Sequence, residues 1–270
     1  MSKRWLITGS GRGLGRAFAE AALERGDRVA ASARRANDLK MLKDSHGDQF
    51  IPLEFDVTDR CAVGAGVRIA HEQLGGIDIV VNNAGYGHIG AFEEVTDDEL
   101  RRQLDVNLFG ALRVTQAVLP IMRDQGSGHI IQISSIGGVV SFPNLSAYHA
   151  SKWALEGMSE SLAVEVRPFG ISVTLVEPGA FDTDSEGSSS TRSEPISAYD
   201  SLRAARSAPY GGQTPEDPRL AGQAMLRIVD SEKPPLRVLL GPIATDLALR
   251  MHARRFTTWN DWVSLSRLEF

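Results

Sequence analysis

Short runs of β-branched and aliphatic residues alternate along this chain with longer stretches in which apolar residues recur every three or four positions. The short runs lie near 4–8, 28–33, 50–55, 77–81, 129–134, 171–177 and 236–240, and the helical stretches near 13–25, 60–73, 97–119, 147–167 and 216–231. Strands separated by helices pair in parallel through crossovers, and those crossovers are almost always right-handed. The alternation therefore predicts an α/β fold, a doubly wound Rossmann-type parallel sheet of about seven strands with helices on both faces. Such sheets bind ligands outside the carboxyl ends of their strands, so the loops that follow the strands are where function is sought.

With 270 residues, 42% of them hydrophobic and 23% charged, the chain can bury one large core without staples. No internal repeat or composition break divides it, and a single domain over 1–270 is expected. The net charge is −5 and the basic residues are scattered, which argues against a nucleic-acid partner. Cys61 is alone, so no intrachain disulfide can form, and a reducing, cytoplasmic setting is expected. Strand pattern begins at Trp5-Leu6-Ile7, leaving no room for a leader, and no apolar run reaches the ~18 residues of a membrane span. The six histidines show no ligand spacing and no GxSxG elbow is present, so neither a metal site nor a serine hydrolase is expected.

The loop after the first strand reads Thr8-Gly9-Ser10-Gly11-Arg12-Gly13-Leu14-Gly15 and opens the first helix. Glycines let a backbone approach a pyrophosphate, and a helix N-terminus offers free N–H groups and positive partial charge. The second strand ends without the acid that would hold the ribose hydroxyls of NAD. It ends instead in Arg34-Arg35, which with Arg12 suit a 2′-phosphate, so NADP(H) is expected over NAD(H). Asp56-Val57 follow the third strand at the adenine edge, and Asn82-Asn83-Ala84-Gly85 make a polar turn after the fourth.

Tyr148 and Lys152 stand at i and i+4 of a helical stretch and so share a face, with Ser135 at the end of an apolar run upstream. A cation within about 4–6 Å of a phenol favours its ionised form and brings an ordinary pKa of about 10 toward neutrality. Asn107 lies three residues past Leu104, on nearly the same side as the apolar stripe of the long helix that Thr96-Asp97-Asp98-Glu99 begins, where an amide needs an internal partner or a function. Residues 181–214 are rich in Ser, Asp, Gly and Pro and read as a substrate-binding lid, and 242–270 as a C-terminal extension with a packing role. Tyr86, His88, Phe142, Leu145 and Phe181 are the expected pocket wall, which suits a medium-sized, partly apolar carbonyl compound or secondary alcohol.

Taken together, these motifs resemble the short-chain dehydrogenase/reductase family in its single-domain form. TGSGRGLG is similar to the family's TGxxxGxG, NNAG at 82–85 and the Tyr148/Lys152 pair match its signatures, and Pro178-Gly179 with Thr183 is similar to its PGxxxT. The resemblance runs from residue 5 to about 183. It implies that Tyr148 is the general acid in carbonyl reduction and the base in alcohol oxidation. It implies also that Lys152 lowers the Tyr148 pKa and bonds the nicotinamide ribose, that Ser135 holds the substrate oxygen, that Asn107 positions a water, and that Thr183 faces the nicotinamide amide. Relatives of this kind pair their long helices, here near 97–119 and 147–167, so a homo-dimer or tetramer is expected. Two other readings share these residues. A nucleotide-sugar epimerase would want glycine where Arg12 stands and a larger C-terminal domain, and a catalytically silent NADP(H)-binding sensor would keep the fold without turnover.

Overall fold

The computed structural model describes residues 2–183, 190–205 and 214–269. Seven strands form one parallel sheet: β1 (Arg4–Ile7), β2 (Arg28–Ala33), β3 (Phe50–Glu54), β4 (Ile79–Asn82), β6 (Gly128–Ile133), β7 (Ile171–Pro178) and β9 (Arg237–Leu240). Their order across the sheet is β3-β2-β1-β4-β6-β7-β9, so strands are added on one side of β1 and then on the other. A separate ladder joins β5 (His88–Ile89) to β8 (Thr191–Arg192).

The continuous apolar character of the strands is what a sheet covered on both faces requires. Trp5, Leu6 and Ile7 of β1 are all fully buried, and Leu6 is in register with Ala30 on one side and Val80 on the other. One face is covered by α1 (Gly13–Glu24) and α8 (Pro218–Asp230), which bring Phe18, Ala22 and Met225 onto Ile7 and Val29. The other is covered by α3 (Arg60–Leu74), α5 (Ala111–Gln125) and α6 (Ser146–Val166), whose Val67, Val118, Met122 and Val166 pack on Leu6, Val80 and Ile130. No helix among the described residues is long and apolar enough to cross a membrane.

Helix ends follow their side chains. Asp59 caps α3 by accepting from the amides of Cys61 and Ala62, and Thr96 and Glu99 form a capping box at the start of α4 (Asp97–Leu104). The helix expected over 97–119 is not continuous, because a π turn over Asp105–Gly110 separates α4 from α5. Its cause is local: the Asn107 side chain bonds both main-chain groups of Tyr86, and Gly110 packs so closely on Val57 that a Cβ there would lie 2.7 Å from Val57 Cγ2. Beyond the expected helical stretches lie α2 (Lys40–His46), the short α7 (Asp200–Ala205) of the polar segment, α9 (Pro242–Asp261), which turns the C-terminal extension into a helix started by a proline at its first position, and α10 (Val263–Ser266).

The loops at the switch point are tied to one another. The Thr8 hydroxyl accepts from the amides of Asn83 (3.0 Å) and Ala84 (3.1 Å), while Asn83 Nδ2 donates to the carbonyls of Thr8 (2.9 Å) and Gly9 (3.1 Å). Gly15 lies against this brace: a methyl group there would fall on the Asn83 amide and within 2.5 Å of the Gly9 carbonyl. Gly15→Ala must therefore push the two loops apart, and thermal melting should show a loss of about 1–3 kcal/mol of stability.

Candidate active site

The carboxyl ends of the parallel strands open into a single cleft of about 1810 Å³. That exceeds the ~300–1,000 Å³ of a site for one drug-sized ligand and leaves room for a dinucleotide beside a second molecule. Gly9, Arg12, Gly13, Leu14, Arg34, Arg35, Asp56, Val57, Asn83, Ala84, Gly85, Pro178, Gly179 and Thr183 line it, as expected from their loops. Three expected cofactor residues do not line it. Thr8 and Ser10 are buried and bond main-chain carbonyls (Val81 and Ile7), and Gly15 is covered by Asn83, so all three shape the loop from behind.

The donor set fits a pyrophosphate. Arg12, at the N-cap of α1, makes no side-chain cap, and no acidic residue stands in the first turn, so the helix presents its leading amides and positive end to the cleft. Arg34 has no side-chain partner among the described residues, whereas Arg35 pairs with Asp38 at 3.0 Å. Asp38 also lines the cleft, close to Gly11. Sequence reading overlooked this acid because it lies beyond the strand end and reaches the glycine loop only by way of a 3₁₀ turn over Ala36–Leu39.

At the far end, Tyr148 and Lys152 come from adjacent turns of α6, and Ser135 from the loop after β6. The Ser135 hydroxyl accepts from the Gly137 amide (2.9 Å) and hydrogen-bonds the Tyr148 phenol, holding its pKa down. Burial acts more strongly and raises the Tyr148 pKa above its usual 10.0. This is the reverse of the lowering by Lys152 expected from the i, i+4 spacing. Burial outweighs it, and the ammonium, 5.8 Å from the centre of the Tyr148 ring, donates to the Ile133 carbonyl at 2.8 Å. Lys152 itself is only 6% exposed, and burial lowers its pKa to about 8 against the opposing charge of Glu156.

Behind Lys152, Arg237 Nε lies 3.1 Å from Glu156 Oε2 and 3.2 Å from Glu177 Oε1. Burial, with the Glu156 carboxylate beside it, pushes Glu177 up to about 7. Ser134 turns toward this cluster, its hydroxyl beside Gly138 and Glu156, which leaves Ser135 as the hydroxyl at the phenol. Sequence reading missed these carboxylates, for nothing local marks a glutamate whose partner is a strand eighty residues away.

Asn107 is 2% exposed and does not line the cleft. Its Oδ1 accepts from the Tyr86 amide (3.0 Å), and its Nδ2 donates to the Tyr86 carbonyl (3.0 Å) and the Ser151 hydroxyl (3.1 Å), so the side chain holds the turn after NNAG in place. His149 donates from Nδ1 to the Gly137 carbonyl (2.7 Å) and accepts at Nε2 from the Phe142 amide (2.8 Å), pinning the loop that carries Ser135.

Of the expected pocket wall, Tyr86, Phe142, Leu145 and Phe181 line the cleft. His88 does not. Its neighbours Gly87 and Ile89 face the cleft, and the alternation of a strand turns His88 the other way, onto the Thr191 hydroxyl (2.7 Å) and the Ser193 hydroxyl (2.8 Å). Residues 184–189 and 206–213 of the expected lid lie outside the described residues. The described part is fixed to the body: the Ile196 amide donates to Glu94 (2.8 Å), Arg203 pairs with the same carboxylate, and Leu202 lines the cleft.

The profile of the short chain dehydrogenase family matches residues 3–194. The chain is 44% identical over 252 residues to the oxidoreductase BOA17 of Botryotinia fuckeliana, covering 92% of each chain. It is 37% identical over 242 residues to a 3-ketodihydrosphingosine reductase of Bacteroides thetaiotaomicron, covering 88% of this chain and 87% of that one. The crystal structure of a short-chain dehydrogenase from Streptomyces avermitilis superimposes with a TM-score of 0.94 at 41% identity, covering 100% of this chain and 98% of that one.

The depressed lysine has a thermodynamic signature. Lys152 titrates near 8 when folded and near 10.5 when unfolded, so between those values the unfolded chain binds more protons and stability rises with pH. Relative to Lys152→Met, which has no proton to lose, the wild type should gain on the order of 3 kcal/mol between pH 7 and pH 11. Urea unfolding of both proteins across that range reads the difference.

Proposed function

The chain belongs to the short-chain dehydrogenase family, and on that premise we propose that it is an NADP(H)-dependent oxidoreductase moving a hydride between nicotinamide and a medium-sized, partly apolar carbonyl or secondary alcohol. The observation that carries this reading is the half-buried Tyr148 phenol with the Ser135 hydroxyl upon it and Lys152 one turn away, in the wall of a cleft with room for two molecules.

When bound, the dinucleotide supplies or accepts the hydride. The chain's own residues manage the proton and the charge. Burial keeps the Tyr148 phenol protonated through the neutral range, which is the state a general acid needs when a carbonyl oxygen gains negative charge. Ser135 donates to that same oxygen and stabilises it as the charge develops. The Lys152 ammonium supplies a positive field near the phenol and would bond the nicotinamide ribose, and in alcohol oxidation the same phenol oxygen would take the proton back. Asn107 acts on this site through the Tyr86 turn and Ser151 of α6, as a positioning residue whose side chain is fully engaged.

Arg34, with Arg12 beside the glycine loop, supports recognition of a 2′-phosphate, and Arg35 offsets the charge of Asp38. Thr183 and Pro178-Gly179 line the cleft and would hold the nicotinamide amide, and the described part of the segment after Phe181 would serve as the substrate-binding lid, with Thr191 and Leu202 in the cleft wall. Phe142, Leu145, Phe181 and Leu202 favour a substrate with apolar bulk, and one relative is named for the reduction of a 3-keto compound. A homo-oligomer and a cytoplasmic, reducing setting complete the reading, the latter supported by the lone free thiol of Cys61.

A panel of ketones, aldehydes and secondary alcohols assayed with both cofactors tests the proposal. Tyr148→Phe should lower kcat by about 10²–10⁴ while leaving NADPH binding intact. Cofactor binding without turnover of any panel member by the wild type would favour the silent sensor instead. Arg34→Ala should raise the Michaelis constant for NADPH by roughly 10–100-fold, the worth of one charge-assisted bond, and barely alter that for NADH. Equal effects on the two cofactors would remove the phosphate assignment.

A further inference from the structure

The C-terminal helix carries an apolar stripe on the side that faces away from the body. The inner side of α9 uses Ile243, Ala244 and Ala248, which pack with Ile136 and Val140 just past Ser135. On the outer side stand Thr245, Leu249, His252, Phe256 and Trp259, separated by four, three, four and three residues. That alternation is the 3.5-residue period of a seam that receives another helix. Leu249, Phe256 and Trp259 are 65%, 64% and 66% exposed.

This part of the helix has little else to hold it. From His252 to Glu269 every described residue is exposed except Arg255, which reaches back over the Trp153 ring at 4.9 Å. A helix of this length without tertiary contacts is marginal in water. Leu249, Phe256 and Trp259 alone leave roughly 400 Å² in solvent, and with Thr245 and His252 a symmetric pair of such stripes would cover about 1,000 Å², the area a specific interface needs.

We propose that this stripe is a two-fold interface in which α9 packs antiparallel against α9 of a second copy of the chain. The two halves of the stripe are complementary in size. Small or medium side chains (Thr245, Leu249, His252) fill the N-terminal half and large ones (Phe256, Trp259) the C-terminal half, so an antiparallel partner sets bulk against hollow in both directions at once. A lipid surface fits less well. An interfacial helix flanks its apolar face with Lys and Arg, whereas Arg254 and Arg255 leave the helix on the body side of the stripe and the chain carries a net charge of −5. The interface also reaches the cleft, because Ile243, Asp246, Leu247 and Arg250 at the start of the same helix form part of its wall.

Sedimentation velocity with light scattering on the full chain tests this without any assay of turnover, so its outcome is separate from that of the proposed reaction. The wild type should be a dimer, or a tetramer built on it. Phe256→Ala/Trp259→Ala and, separately, Leu249→Arg should each give a species of half the mass, with the dissociation constant raised on the order of 1,000-fold. Unchanged circular dichroism and NADPH binding would show that the variants are folded. Equal masses for wild type and both folded variants would overturn the proposal, as would a monomeric wild type. Binding of that monomer to phosphatidylglycerol vesicles, lost in the variants, would also overturn it and assign the stripe to a membrane surface.

Discussion

The hydrogen bond from the Lys152 ammonium to the carbonyl of Ile133 joins the two halves of the candidate site. Ile133 is the last residue of β6, where the ladder runs out and a carbonyl points past the end of the sheet in need of a donor. Satisfying it with a lysine of α6 draws that helix across the strand ends. Tyr148, one turn earlier, then lies over Ser135, two residues beyond the strand. The spacings that look arbitrary along the chain are the distances that one buried bond imposes.

Burial has opposite effects on the two groups it gathers there. It raises the phenol and lowers the ammonium, so both are pushed toward their neutral forms and their proton affinities, nearly equal in water, move apart. The Glu156 carboxylate opposes the lowering of Lys152 from behind, and Glu156 and Glu177 are themselves raised by burial, with Arg237 of the last strand as their shared counter-charge. The site therefore extends deeper than the residues lining the cleft, into a polar layer between α6, β7 and β9 where each charge depends on the next.

Most of the architecture could be read from periodicity because the strands of the main sheet are short and apolar and amphipathic helices separate them. The exceptions have local physical causes. The π turn at Asn107 arises from a side chain bonding a main chain twenty-one residues away, a distance that no window along the sequence spans. α9 was read as an extension because its apolar residues serve two faces, and a helix that is apolar on two sides shows no single stripe. Tyr148, Lys152, Ser135 and the glycine loop were legible because each sits at a strand end or helix start that the alternation itself locates. His88 was misjudged for want of register, since a shift of one residue in a two-residue strand decides which face a ring takes. Thr8, Ser10 and Gly15 fell into the loop expected to touch a ligand, yet they serve as its backing.

The strand order has a consequence for how the molecule is made. β1, β2 and β3 lie side by side, and β4, β6, β7 and β9 extend the other flank strictly in sequence, so every strand meets a neighbour already synthesised. The polypeptide can thus be laid down layer by layer as it leaves the ribosome. The nucleotide cradle around the glycine loop is closed by β4 well before α6 emerges, and the last strand to arrive delivers Arg237 to two acids that until then have only the Lys152 ammonium, on the Glu156 side, to oppose their charge.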